Sequence, residues 1–282
     1  MTICFATDLH GRVNLYEQLA DLVYRSGAGL VVFGGDMLPD GDMRTPGKAQ
    51  VQFIDWLAGW IERLHRRLPV CRVATVFGNH DWSCSARAAE RLETQGLLTV
   101  LRHDQVIRIG GWQFVGYSYS PPSPFWGKDF ERLDRPGDQS PLAEGARWDP
   151  QTQSVVKAGP SYFTAQPSIE EDLAHVPPLD GPWILVAHAP PFDSGLDLLI
   201  SGEAVGSHAV RAFIEQRQPS ISLHGHLHDS PLKSGRFYQQ IGRTIAVNPG
   251  QGTETLAAVT FDPEDPIGTI IGHGIRLPGG PP

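Results

Sequence analysis

Asp8 and His10, then Asp36, then Asn79 and His80, then His188, then His226 and His228 follow one another along a chain of 282 residues. Each group stands at the end of a short apolar run. In full, the motifs are Asp8-Leu9-His10, Gly34-Gly35-Asp36, Gly78-Asn79-His80-Asp81, His188, and Gly225-His226-Leu227-His228. Carboxylates, imidazoles and one amide placed at successive strand ends can converge on two metal ions, however far apart they lie in sequence. The donors are oxygen and imidazole nitrogen without thiolate, a set that suits Mn, Fe, Zn or Co rather than structural zinc. Two such ions roughly 3.5–4 Å apart can hold a shared hydroxide and clamp the oxygens of a phosphoryl group. One carboxylate must then bridge them, and Asp36 is the natural candidate. Asp8 and His10, two residues apart in an extended segment, project to one side and could reach one ion. His226 and His228 share a face if their segment is extended too.

The elements that must position these groups follow from periodicity. Ile3–Thr7, Leu30–Phe33 and Val73–Phe77 read as buried strands. Leu15, Leu19, Leu22 and Val23 recur at helical spacing with Asn14 as a candidate N-cap, Phe53–Leu64 marks a longer helix, and Ala86–Thr94 a third. This βαβαβα order predicts a parallel sheet with right-handed crossovers, and ligands collect outside the carboxyl ends of such strands. Val106–Ile109 and Trp112–Tyr117 read as a hairpin across Gly110-Gly111, and Ser168-Ile169-Glu170-Glu171 as a capping box. Trp183–Ala187 delivers His188, a helix starts near Ser207, and Ile221–Leu223 runs into the last pair of histidines. Thr244–Val247, Leu256–Phe261 and Ile267–Ile271 read as closing strands of a second sheet. Residues 118–165 show no clean periodicity, and a loop that long inside a compact domain usually has a function. Part of it is expected to overhang the metals. Its Phe125 and Trp126 read first as anchors that pin the loop to the core, and second as a stack for a nucleobase.

The motif series resembles the calcineurin-like metallophosphoesterase superfamily, whose pattern is D-x-H, G-D, G-N-H-[D/E], H and G-H-x-H, and within it a small bacterial phosphodiesterase-like branch. Asn248-Pro249-Gly250 resembles the loop that commonly follows. Asp36 is followed by Met37-Leu38-Pro39-Asp40, without the arginine of the protein serine/threonine phosphatases, which argues against that branch. The resemblance implies an α/β fold, a four-layer αββα sandwich of two mixed β-sheets flanked by helices. It implies that Asp8, His10, Asp36 and His228 hold one divalent ion, and that Asp36, Asn79, His188 and His226 hold the other. His80 would be the acid that protonates the leaving oxygen or stabilises the transition state. The implied activity is hydrolysis of a phosphodiester or phosphomonoester by a metal-bridging hydroxide. The alternatives are an idle protein-interaction scaffold of the same fold, which the presence of His80 disfavours, and a nuclease.

Net charge of −8 disfavours a protein that grips long nucleic acid through its phosphates. The expected partner is a small phosphate ester, with no membrane. Three cysteines, Cys4, Cys71 and Cys84, lack metal-site spacing and read as reduced thiols. Only Met1 and Thr2 precede the first strand and no apolar run approaches the roughly 20 residues of a membrane span, so a cytoplasmic location is expected. The motifs run from residue 8 to 228, which argues for one domain over 1–277, with 118–165 as an insertion loop and 278–282 as a tail. His224 reads as a core histidine or a partner of a metal ligand. Asp81 and Asp229 read as imidazole-orienting or loop-capping groups, and Arg12 as a surface arginine or a phosphate contact. His208 reads as a capping residue or a substrate contact, and His65, His103, His175 and His273 as solvated.

Overall fold

The computed structural model describes residues 1–40, 45–139 and 145–279. Its first half contains β1 (Ile3–Ala6), α1 (Val13–Ser26), β2 (Leu30–Phe33), α2 (Pro46–Arg67), β3 (Arg72–Thr75), α3 (Ser83–Thr94), β4 (Thr99–Val100), β5 (Ile107–Ile109) and β6 (Trp112–Tyr117). Then come β7 (Gly145–Asp149), β8 (Ser154–Ala158), α4 (Pro160–Thr164), α5 (Ile169–Ala174), β9 (Trp183–Ala187), α6 (His208–Arg217) and β10 (Ile221–Leu223). The last elements are α7 (Ser230–Ser234), β11 (Tyr238–Ile241), β12 (Thr244–Val247), β13 (Ala258–Phe261), α8 (Pro266–Thr269) and β14 (Ile271–His273).

The strands form two mixed six-stranded sheets, in the orders β14-β13-β1-β2-β3-β4 and β11-β12-β10-β9-β6-β5. Side chains alternate across a strand, and here both faces are apolar. Ile3 and Phe5 of β1, Leu30 and Val32 of β2, and Ala74 of β3 meet Phe114, Ile184, Val186, Ile221, Leu223, Ile245 and Val247 of the second sheet. The alternate residues Cys4, Ala6, Val31, Phe33 and Val73 lie under Leu15, Leu19, Ile54, Leu57 and Ile61 of α1 and α2. On the far side, Val115, Tyr117, Leu185 and Ala187 lie under Ile169, Leu173, Val210 and Phe213 of α5 and α6. Helix, sheet, sheet, helix is the four-layer arrangement expected. Strands buried on both faces carry continuous apolar runs, which is why β1, β2 and β9 were legible.

Some expectations need correction. β13 and β14 do not belong to the second sheet: β13 pairs antiparallel with β1, and β14 with β13, so the chain's end closes the first sheet. Residues read as a strand over Ile267–Ile271 begin instead as the short helix α8, opened by Asp265, whose side chain accepts from Gly268 N. Asn14 does not cap α1: Arg12 holds the N-cap position without a side-chain bond, while Asn14 Nδ2 reaches the carbonyls of Thr253 and Glu254. Within 118–165 the structure shows the β7–β8 hairpin and α4 where no periodicity was visible. The capping box at Ser168 and a helix starting near Ser207 are present as expected, and the residue that caps α6 is Ser207 rather than His208. No helix among the described residues is long and apolar enough to cross a membrane. Of the expected tail, residues 280–282 lie outside the described residues.

Candidate metal centre

The loops that leave β1 and β2 are zipped to each other. Asp8 N donates to Gly35 O at 3.0 Å, His10 N to Asp36 O at 2.9 Å and Gly11 N to Met37 O at 3.0 Å. Asp8, His10 and Asp36 are not extended; all three have positive φ (57°, 46° and 49°), and so does His226 (69°). The premise that Asp8 and His10 share a side of an extended segment is therefore wrong, and the same holds for His226 and His228. Left-handed backbone costs a non-glycine residue about 1–3 kcal/mol and persists only where surroundings enforce it. Four of the seven such residues among those described fall in this one cluster. Close approach makes glycine necessary at two neighbouring positions. A Cβ on Gly78 would run into the Asp36 carboxylate and the His188 ring, and one on Gly225 into Thr7 and the Asp8 carboxylate.

These turns bring Asp8, His10, Asp36 and His228 together, with one ligand atom of each within 4.8 Å of the others. His228 Nε2 lies 3.1 Å from Asp8 Oδ1 and 3.3 Å from His10 Nε2. Beside them, His188 Nε2 lies 3.4 Å from Asp36 Oδ2 and 3.1 Å from Asn79 Oδ1, and His226 Nδ1 is 2.8 Å from that same amide oxygen. Asp36 thus touches both groups. Asp8, Asn79 and His188 are almost wholly buried.

The donor chemistry fits cations. An ionised carboxylate only accepts, so His10 Nδ1 must donate to Asp40 Oδ1, 3.2 Å away, and its Nε2 presents a lone pair to the cluster. His188 Nδ1 likewise donates to Gly34 O at 2.8 Å, which turns Nε2 toward Asp36 and Asn79. Metal-binding histidines are held in this way, by a second hydrogen bond from the other ring nitrogen. His228 Nε2 stands within hydrogen-bond reach of both His10 Nε2 and Asp8 Oδ1, so a proton on it can bridge them, and a divalent cation can take that proton's place. Burial opposes charge on Asp8, yet His228 and His188 lower its pKa to about 2. Burial also opposes charge on Asp36, yet His188 and His80 hold its pKa well below the usual range.

A model of the calcineurin-like phosphoesterases matches residues 1–230. The chain belongs to the calcineurin-like phosphoesterase family. No curated protein matches the sequence. The fold is similar to the TT1561 protein of Thermus thermophilus, at a TM-score of 0.60 and 15% identity over 98% of this chain and 99% of that one. It is also similar to a dimetal phosphatase from Danio rerio, at a TM-score of 0.53 and 12% identity over 98% and 97%. At such identities the likeness is one of fold. This phosphoesterase therefore belongs to a family that uses divalent metals, and it carries a group of side chains able to hold one.

His80 sits at the edge of the cluster. Its backbone N donates to Asp36 Oδ1 at 2.7 Å, and its Nδ1 donates to Asp40 Oδ1 at 2.7 Å, which leaves Nε2 as its free nitrogen. Burial opposes its charge, but the carboxylates of Asp36 and Asp40 raise its pKa above the ordinary value. Asp40 was not singled out in the sequence. It joins His10 to His80, and its only signal was an acid four residues past Asp36. Gln50 was missed as well. Buried on α2, it donates to His80 O at 2.8 Å and Pro39 O at 3.0 Å, and accepts from Trp82 N and Ser85 Oγ, both at 2.8 Å. Nothing local in the sequence marks it.

The ambiguous residues resolve by contact. Asp81 holds loops, accepting from Leu38 N at 3.1 Å and Gly78 N at 2.9 Å. Asp229 faces Arg276 at 4.0 Å. His224 is a core histidine bonded to Ala187 O, Ala189 O and Ser222 Oγ, and burial lowers its pKa to about 4. His208 opens α6 and stacks on Phe192. Arg12 makes no side-chain capping bond to the helix it precedes. His175 is exposed as expected, whereas His65, His103 and His273 are half-buried rather than solvated. Phe125 does not simply pin its loop to the core: its ring stacks on His80, with centroids 3.6 Å apart and planes at 19°. Trp126 is the anchor, 5.5 Å from Trp82.

Proposed function

We propose that this phosphoesterase hydrolyses a small phosphomonoester or phosphodiester at a dinuclear centre, with Asp8, His10, Asp36 and His228 around one divalent ion and Asp36, Asn79, His188 and His226 around the other. Divalent ions held there would polarise the phosphoryl group and activate the attacking water. The protein's own part is to place and protonate. Asp36 touches both donor groups, and the enforced turns at Asp8, His10, Asp36 and His226 fix the donors before substrate arrives. His80 is the general acid: its Nδ1–H donates to the Asp40 carboxylate, which fixes the ring and leaves protonated Nε2 to face the departing oxygen.

The observation that carries this reading is the convergence of Asp8, His10, Asp36 and His228 within 4.8 Å, beside His188 and Asn79 and next to His80. A net charge of −8 supports a small ester over long nucleic acid. The test is metal analysis of the purified protein, then turnover of p-nitrophenyl phosphate, its bis ester and cyclic nucleotides with added Mn²⁺, Fe²⁺, Zn²⁺ or Co²⁺. Two ions per chain and turnover of at least one ester class are expected. A protein that binds no divalent ion, or binds two and turns over nothing, is not this enzyme.

A further inference from the structure

The stretch after β6 is a built arm. Lys128 has no exposed side-chain surface and turns its ammonium inward: Nζ donates to Ser123 O at 2.8 Å, to Glu131 Oε2 at 2.7 Å, and to the Phe125 carbonyl. Glu131 is equally buried, and its other oxygen accepts from the Ser123 hydroxyl. Asp129 fastens the arm to the start of α3 and to β7. It accepts from Ser83 N at 2.8 Å, Ser83 Oγ at 2.9 Å and Trp148 N at 2.9 Å. Backbone bonds from Lys128 N to Ala146 O and from Ala146 N to Trp126 O close it against the β7–β8 hairpin. A side chain with this many fixed neighbours is held in place before anything binds.

What the arm holds in place is Phe125, half-buried and stacked on His80. His80 has one nitrogen left, since Nδ1 is bonded to Asp40. An oxygen that takes a proton from Nε2 must come within hydrogen-bond reach of it, and the Phe125 ring, nearly parallel to the imidazole with centroids 3.6 Å apart, is the apolar surface next to that nitrogen's ring. Among the described residues of the arm, the Lys128 ammonium and the Glu131 carboxylate are turned to each other and to the arm's own backbone and Ser123 hydroxyl.

We propose that Phe125 makes this site selective for phosphoesters with an aromatic leaving group, an assignment that rests on the phosphoesterase reading above. In the step concerned, the oxygen of water bonds to phosphorus and the P–O bond to the leaving group breaks. The departing oxygen takes the proton of His80 Nε2, and a proton from the attacking water replaces it. Phe125 acts on the leaving side only, through ring-to-ring contact. Lys128 and Glu131 are positioning residues for that ring.

The test compares benzyl with ethyl esters, as monoesters and as methyl diesters, in Mn²⁺-loaded wild type, Phe125→Leu and Phe125→Ala. Benzyl alcohol and ethanol are similarly weak acids, so the ratio of kcat/KM values reads contact with the ring and not leaving-group chemistry. Both esters meet the same preparation, so the ratio does not depend on how much of a variant folds. Wild type should prefer the benzyl ester. Phe125→Ala should lower that preference about 2- to 10-fold, the size expected for one aromatic contact, with Phe125→Leu between. A wild-type ratio near one, or a ratio unchanged in Phe125→Ala while both esters are turned over, overturns the role of Phe125 and leaves the phosphoesterase reading standing. No turnover of any ester by the metal-loaded wild type overturns both.

Discussion

The loops after β1, β2 and β3 are held mainly by one another and by the strands they leave. Asp8 N, His10 N and Gly11 N bond the β2 loop, and Asp81 accepts from Leu38 N and Gly78 N. The arm after β6 reaches the same His80 but is held by a buried ion pair and by Asp129 on Ser83. Both regions are densely tied by hydrogen bonds, with different chemistry. The strand-end loops collect charge and strained backbone, as a place for cations requires. The arm neutralises its own charge internally and presents an apolar ring. The strand-end loops should therefore govern metal and rate, and the arm should govern which leaving group is accepted.

The sharpest way to break that division is at Asp36, the carboxylate common to both donor groups. Asp36→Asn preserves shape, including an acceptor for His80 N, but removes a full negative charge. We expect loss of metal at both positions and loss of turnover. Two ions still bound per chain with wild-type rates would remove Asp36 from the centre.

The next largest effect separates rate from metal within the strand-end loops. His80→Ala should keep both ions and lower kcat by about 10²–10⁴, less for p-nitrophenyl than for alkyl esters, because a good leaving group needs less protonation. His226→Ala removes a donor and should lose metal directly. Metal content and kcat measured on both variants decide it. If His80→Ala loses metal as badly as His226→Ala, His80 is a ligand and not an acid.

Asp40 belongs with this pair. Asp40→Asn still offers an oxygen to His10 and His80, yet it no longer carries the charge that draws their Nδ1 protons. Outer partners of this kind are worth about 10–100-fold in affinity or activity. The loss should fall on kcat through His80 and on metal affinity through His10. Unchanged kcat and metal affinity would make Asp40 a bystander.

The same contrast explains what the sequence revealed. Asp8, His10, Asp36, Asn79, His188, His226 and His228 were legible because each directly follows a run of residues buried on both faces, so position along the chain maps onto position in the fold. The geometry at those residues was not legible. An i, i+2 spacing suggested extended backbone, whereas positive φ at Asp8 and His10 depends on the β2 loop, a partner about 27 residues away in sequence. Asp40 and Gln50 were missed for a related reason: their partners, His80 and Trp82, lie on another loop. The arm was hardest to read. Its order comes from Lys128 and Glu131, which in a sequence look like ordinary surface charges, and from Asp129 reaching Ser83, 46 residues away. β13 was misassigned because an apolar run shows that a strand is buried and not which sheet it joins.

The smallest expected effect on the centre comes from the arm itself. Lys128→Met keeps the stem's length and apolar character but strips Glu131 of its partner inside the protein. Breaking a buried pair on one side costs about 3–5 kcal/mol, because a carboxylate is left buried without a counter-charge. Burial already raises the Glu131 pKa to about 7 despite Lys128, so once Lys128 is gone the lone acid will take up a proton at neutral pH and part of that penalty will be relieved. The arm should loosen, with faster proteolytic nicking within 120–131, while metal content stays at the wild-type level. The double variant Lys128→Met with Glu131→Leu removes both charges and should recover much of the lost protection, since apolar replacement of a buried pair is often neutral or better. Nicking rates and metal content of the three proteins test this together. If Lys128→Met sheds its metals, the arm and the strand-end loops form one unit, and the division of labour between them fails.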